Sequence, residues 1–140
     1  MRRPGLSYRR IVVPLVAAEE SEAAVALAAE LADEHGTSIF AVVAIELPPQ
    51  LPIGAHMLEE EAAARRVLED AQAIAVARGV RIRTRVVRTR EAGEAIVAVA
   101  DEVDADLVVL RARRTPRLGR TVKHVLHHAP CRVLLAAPSP

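Results

Sequence analysis

Five short apolar runs punctuate the chain, and three alanine-rich, charge-bearing segments and one rich in arginine and histidine lie between them. The runs are RRIVVPLV (9–16), TSIFAVVAIE (37–46), VRIRTRVVRT (80–89), DLVVL (106–110) and CRVLLAA (131–137). Each is rich in β-branched or aliphatic residues and bounded by turn signals, so each reads as a strand. The first segment between them, SEAAVALAAELADEHG (21–36), places Ala24, Leu27, Ala28 and Leu31 on one helical face, with Gly36 as its C′ residue. HMLEEEAAARRVLEDAQAIAVARG (56–79) presents Leu68, Ala71 and Ala75 in the same way and also stops at a glycine. EAGEAIVAVADEVDA (91–105) turns Ala92, Ala95, Ile96, Val99 and Val103 inward. A short helix over about 119–128 ends before Pro130, and the three prolines of LPPQLPIG (47–54) exclude regular structure there.

Strict alternation of strand and helix predicts a doubly wound α/β fold. The sheet has five parallel strands and helices on both faces, because parallel crossovers are right-handed and lay helices against the sheet. Strand three alone alternates, with Val80, Ile82 and Thr84 on one face and Arg81, Arg83 and Arg85 on a partly solvated one. In the order 3-2-1-4-5, ligands bind beyond the carboxyl ends of strands one and four, at the switch point. The candidate site is therefore PLVAAEE (14–20) facing RARRTPRLGRT (111–121). The length suits one domain over 1–140, with tails at about 1–7 and 138–140.

Several function classes are disfavoured by composition. Net charge is +1, so no bulk field draws nucleic acid or a membrane. Tyr8 and Phe40 are the only aromatics, too few for a base-stacking platform. No apolar run approaches a membrane span, and the charged start MRRPGLSYRR has no apolar core of a signal peptide. Cys131 is the single cysteine, which excludes an intrachain disulfide and a cysteine zinc cage. The expected compartment is the cytoplasm, with no nucleic-acid partner and no direct membrane insertion.

The loop after strand four raises the functional question. It carries Arg111, Arg113, Arg114, Arg117 and Arg120 but a single glycine, Gly119. It reads either as a solvated loop that pairs with nearby acids or as an anion site at a helix N-terminus, where guanidinium forks grip phosphate. A third reading is contact with an acidic protein or lipid surface. His124 and His128 stand four apart on a helix beside His127, without a third ligand or an HExxH pattern, and read as a packed or solvated face. Cys131 lacks a positioned base and reads as a small buried hydrophobe. Glu59, Glu60 and Glu61 read as helix-surface partners of Arg65 and Arg66. No catalytic constellation or metal site is assigned, and the protein is expected not to be an enzyme.

RRIVVPL followed by an acidic, serine-containing helix start, ADLVVL after an alanine-rich helix, and VKHVLHHAPCRVLLAAP at the C-terminus resemble the universal stress protein (UspA-like) family over nearly the whole chain. The most specific feature is the helix that ends in His-Ala-Pro-Cys and runs into an apolar strand. The resemblance implies an adenine-nucleotide alpha-hydrolase-like sheet and a stress-response or regulatory role. ATP-binding relatives carry an Asp after the proline of strand one, then Gly-x-x-Gly, a longer spacer and Gly-Ser or Gly-Thr after strand four. Here the Asp position falls at Val16 or Ala17, the two glycines at Arg111 and Arg114, and the spacer is only TPRL (115–118). Pro14, Ala44 and Gly119 are kept, and Arg120 with Thr121 stands at the Ser position.

The resemblance thus points to the subset without the full ATP fingerprint. Such a protein binds no nucleotide or a small phosphate-bearing ligand through Pro14, Val16, Ala44, Arg111, Arg113, Arg114, Gly119, Arg120 and Thr121. No cofactor is assigned, and ATP or AMP are the nucleotides it brings into question. A first alternative is an ATP- or AMP-binding member with arginines in place of glycines. A second is a regulatory module, and so a partner, of a membrane transporter. VPL and ELPPQLP look similar to the cytoplasmic domains of amino-acid permeases and cation/proton antiporters. The family also implies a homodimer through the last strand, Cys131 to Ala137, whose apolar character makes a poor solvated edge.

Overall fold

The computed structural model describes residues 8–16, 22–32, 36–111 and 119–136. In chain order the elements are β1 (Arg10–Leu15), α1 (Glu22–Glu30), β2 (Ser38–Glu46), α2 (Leu58–Ala77), β3 (Arg81–Thr89), α3 (Ala92–Glu102), β4 (Leu107–Arg111), α4 (Arg120–His128) and β5 (Arg132–Ala136). All strand pairs are parallel, as the alternation predicts, and the order is β3-β2-β1-β4-β5, the order on which the placing of the switch point rested. The chain winds outward from β1 through α1 and α2, then crosses back through α3. Right-handed crossovers in opposite directions put the two helix pairs on opposite faces.

The sheet therefore has a core on each side. Ile11, Val13, Ile39, Ala41, Val43, Leu107 and Val109 face α1 and α2, where Ala24, Val25, Ala28, Ala64, Leu68 and Ala71 cover them. Val12, Val42, Val108 and Leu110 face Ile96, Val99 and Ala100 of α3 and Val125 of α4. Strands buried on both faces need no polar alternation, which explains their unbroken apolar runs. The two edge strands depart from this, β3 with an exposed arginine row and β5 with an apolar run that is only half-buried.

Several boundaries depart from the expectation. Helix α1 closes at Glu30 instead of reaching Gly36, and Ala32 forms a parallel bridge with Tyr8. Helix α2 ends in a Schellman turn, with the Gly79 N–H on the Val76 carbonyl (3.0 Å) and the Val80 N–H on that of Ala75 (2.9 Å). Gly79 sits at φ +70°, so its lack of a Cβ is required there. Helix α3 ends in the same way with Asp104 at φ +53°, a residue that tolerates the left-handed region. On α3, Ala95, Ile96 and Val99 are buried as expected, whereas Ala92 and Val103 are half-buried and Gly93 and Ala100 take the inner positions. Glu61 turns to Arg88 of β3 at 2.6 Å instead of to Arg65 or Arg66, because α2 lies directly over that strand. At the opposite end of the sheet, Asp106 accepts from the Arg9 and Arg10 N–H groups (2.8 and 3.1 Å) and ties β4 to the start of β1.

Candidate functional site

The β1–β4 ladder is short, and one residue explains why. Arg9 offers its carbonyl to Ser38 of β2, and Arg10 offers its carbonyl to Asp106. Alternate backbone groups of β1 therefore point to β2 and to β4, and Arg10, Val12 and Pro14 are in phase toward β4. The β1–β4 register holds only Ile11 with Leu107 and Val12 with Val108, although β1 continues to Leu15 and β4 to Arg111. The next rung, Val13 opposite Val109, needs an N–H at residue 14, and proline has none. The pairing of β1 with β2 does not use that group and runs on through Leu15. Pro14 thus leaves the sheet unpaired at the carboxyl ends of the two central strands. That is the switch point where α/β sheets hold ligands.

The predicted site residues are distributed around this opening. Pro14 is half-buried, and Val16 projects beyond β1 with 49% exposure. Ala44 is a partly buried residue of β2, on the same face as Val42. Arg111 is the last, half-buried residue of β4. Strand alternation from Leu107 and Val109 sends it off on the α1 side. Gly119 is the N-cap of α4 on the other face, followed by exposed Arg120 and half-buried Thr121. Two basic groups thus leave the strand and helix ends from opposite faces. Arg113 and Arg114, with Arg117 and Ala17, lie outside the described residues. Gly119 has φ −68°, which any residue adopts, and a Cβ there would touch nothing, so the backbone itself does not demand glycine.

Glu46, the last residue of β2, was not among the expected site residues. Its carboxylate accepts from the Ala92 N–H at the start of α3 (2.9 Å) and stands 3.8 Å from the Arg120 guanidinium. It therefore serves as a cap for α3 and places a negative charge beside α4's first turn. The Arg120 side chain is 79% exposed, so the pair contributes little stability, but it does partly neutralise the rim. The signal in the sequence was an acid closing an apolar strand, AIE (44–46), which by itself looks like ordinary strand-end polarity.

The loop between β2 and α2 forms the neighbouring part of the rim. Arg90 donates to the Pro48 carbonyl at 2.6 Å, and two turns close with Leu51 N–H on Pro48 and Ala55 N–H on Pro52. These turns hold out Leu51 and Ile53, 38% and 50% exposed, on the same end of the sheet as Val16. A rim with apolar projections and basic ends can take a flat apolar group and an anion together.

Of the α4 histidines, His124 is half-buried and His127 and His128 are exposed. His124 stacks on His128 with ring centroids 4.4 Å apart, and its Nδ1 is 3.7 Å from Glu91. Among the described residues no group of three His, Cys, Asp or Glu side chains could hold a metal ion. Cys131 is half-buried against the α3/α4 core, and burial first, then the Asp106 carboxylate, pushes its thiol pKa up. A raised pKa keeps the sulfur protonated and unreactive near neutral pH.

A universal stress protein family model matches residues 7–137. The chain belongs to that family. A universal stress protein of Synechocystis sp. is 31% identical over 136 residues, which span 96% of this chain and 84% of the relative. The structure of a universal stress protein from Archaeoglobus fulgidus superposes with a TM-score of 0.78 at 26% identity, covering 94% of this chain and 95% of that one. The structure of the Archaeoglobus fulgidus universal stress protein in complex with dAMP gives a TM-score of 0.74 at 26% identity, covering 91% and 97%. The order 3-2-1-4-5 and the two-faced helix packing expected from the resemblance are those of the structure. Among the described residues of this universal stress protein, no helix is long and apolar enough to cross a membrane.

Proposed function

We propose that this universal stress protein is a non-catalytic regulatory protein whose switch-point cleft takes a ligand with a single phosphate, of nucleoside monophosphate size, and not ATP. The observation that carries this reading is the open β1–β4 end created by Pro14, with Arg111 leaving it on one face and the α4 N-terminus on the other. The dAMP complex of the similar Archaeoglobus protein supports the ligand class. Exposed Val16, Leu51 and Ile53 suit a heterocyclic base. The loop of only seven residues between Arg111 and Gly119 wraps too little ligand for a triphosphate, and arginine forks grip one phosphate without a glycine nest.

Calorimetric titration of AMP, ATP with magnesium and inorganic phosphate into the dialysed protein tests the reading. AMP is expected to bind in the micromolar range and ATP no more tightly. Arg111→Ala/Arg114→Ala is expected to weaken AMP by at least about tenfold, the worth of one charge-assisted hydrogen bond. Glu46→Gln, which keeps an acceptor for Ala92 but removes the charge beside Arg120, is expected to tighten AMP about threefold. ATP binding tenfold tighter than AMP, or no heat from any of the three, overturns the assignment.

We also infer that two copies associate through Cys131 to Ala137. Strand β5 is a sheet edge, and Val133, Leu134, Leu135 and Ala136 are half-buried there. An apolar strand edge with no partner strand among the described residues invites pairing. Light scattering is expected to give twice the chain mass, and Leu134→Lys the mass of one chain. A monomeric parent protein disproves the association.

A further inference from the structure

The opposite edge of the sheet, β3, carries a different pattern. β3 spans Arg81–Thr89 and, among the described residues, pairs only with β2. The Leu47 N–H bonds to the Thr89 carbonyl, so the odd residues of β3 direct their backbone toward β2. Ile82, Thr84 and Val86 therefore direct N–H and C=O outward. Among the described residues no backbone group meets them.

The two faces of this edge differ in chemistry. Toward α3, Arg81, Arg83 and Arg85 form an exposed row at about 7 Å spacing. Arg85 pairs with Glu102 at 2.6 Å, whereas Arg81 and Arg83 make no ion pair with any described residue. Toward α2, a groove of 220 Å³ runs beside the strand, lined by Leu68, Thr84 and Val86 and by the polar or charged Arg65, Glu69, Gln72 and Arg85. Val86 is 38% exposed in it.

A strand added here would alternate in the same way. One set of its side chains would lie beside the arginine row and the other set over the groove. A second copy of β3 is a poor occupant, because antiparallel self-pairing sets one arginine row beside another. Edge charges also shield a strand from pairing, but Arg81 and Arg83, in phase on one face and without an ion pair among the described residues, stand beside a groove on the other face and make a surface complementary to an acidic strand. We propose that the β3 edge docks an extended segment of a partner protein in which acidic residues alternate with small apolar ones, added as a sixth strand. This site lies at the far edge of the sheet, two strands from β1, and does not depend on what the cleft binds.

The test uses the blocked peptide acetyl-(Asp-Val)4-amide on the full-length, isotope-labelled protein. Backbone amides of Ile82, Thr84 and Val86 are expected to shift and to gain protection from exchange. Arg81→Glu/Arg83→Glu is expected to weaken the peptide by at least about tenfold, and Arg81→Gln/Arg83→Gln by less. A Lys-Val peptide, or the Asp-Val peptide N-methylated at alternate residues, is expected not to bind. The proposal is overturned by any of four results: no β3 shifts at millimolar peptide, equal binding of the Lys-Val peptide, equal binding by both arginine variants, or shifts confined to Val133–Leu135 at the β5 edge.

Discussion

Ile39→Ala is expected to destabilise the protein by about 2–5 kcal/mol, while Phe40→Ala, next to it and larger, costs only about 1–2 kcal/mol. Ile39 is fully buried in the centre of the α1/α2 core. Its side chain has neighbours on all sides, and truncation leaves a cavity that a five-stranded sheet cannot close. Phe40 points to the other face and is half-buried. Its ladder neighbours are Val12, which is buried, and Arg83, which is exposed. The usual ranking, in which phenylalanine truncation costs as much or more, is thereby reversed. Urea unfolding at constant m-value measures both. Equal costs for the two variants would mean that the α3 face is closed over Phe40 in solution.

Gly93→Ala is expected to destabilise by about 1–3 kcal/mol, against the helix-propensity gain of up to about 1 kcal/mol that this change normally brings. Gly93 is buried in α3, where it meets α4. A Cβ there would stand 2.7 Å from His124 Cβ, 2.9 Å from Cγ and 3.1 Å from Cδ2. The first of these is too near the α4 backbone to move by a rotamer change, so the two helices must separate. Adding His124→Ala removes the ring contacts but not the Cβ contact, so it restores only part of the loss. Thermal melts of the parent, the single variants and the double variant check this. Full restoration by His124→Ala, or a rise in Tm for Gly93→Ala, rules out the close helix contact as the cause.

Strand alternation made the architecture legible. The runs IVVPL and LVVL are apolar on both faces, as central strands of a doubly covered parallel sheet are. The arginines at 81, 83 and 85 marked one of the two edge strands; the other, β5, is apolar in sequence and gave no such sign. Element ends were less legible. Gly36 looked like a stop for α1, but the chain leaves the helix at Glu30 and pairs Ala32 with Tyr8, a contact distant in sequence. Asp104 gave no sign of ending α3, because its left-handed backbone depends on carbonyls made available by the helix itself.

The candidate site divides along the same line. Pro14 could be named as a strand residue near the site, and the switch point could be placed, because both follow from local chemistry and the order of crossovers. That Pro14 opens β1 from β4 and not from β2 could not, because it depends on which way alternate amides point. Glu46 and Arg120 are 74 residues apart in sequence, and only the folded sheet brings them within 3.8 Å. Periodicity and turn chemistry are properties of neighbouring residues, so the chain alone determined the strands, the helices, their order and the end of the sheet that holds the cleft. The charge on the cleft rim, the helix contact at Gly93 and the unpaired β3 edge are distances between segments remote in sequence, and packing of the two helix layers against the sheet decided them.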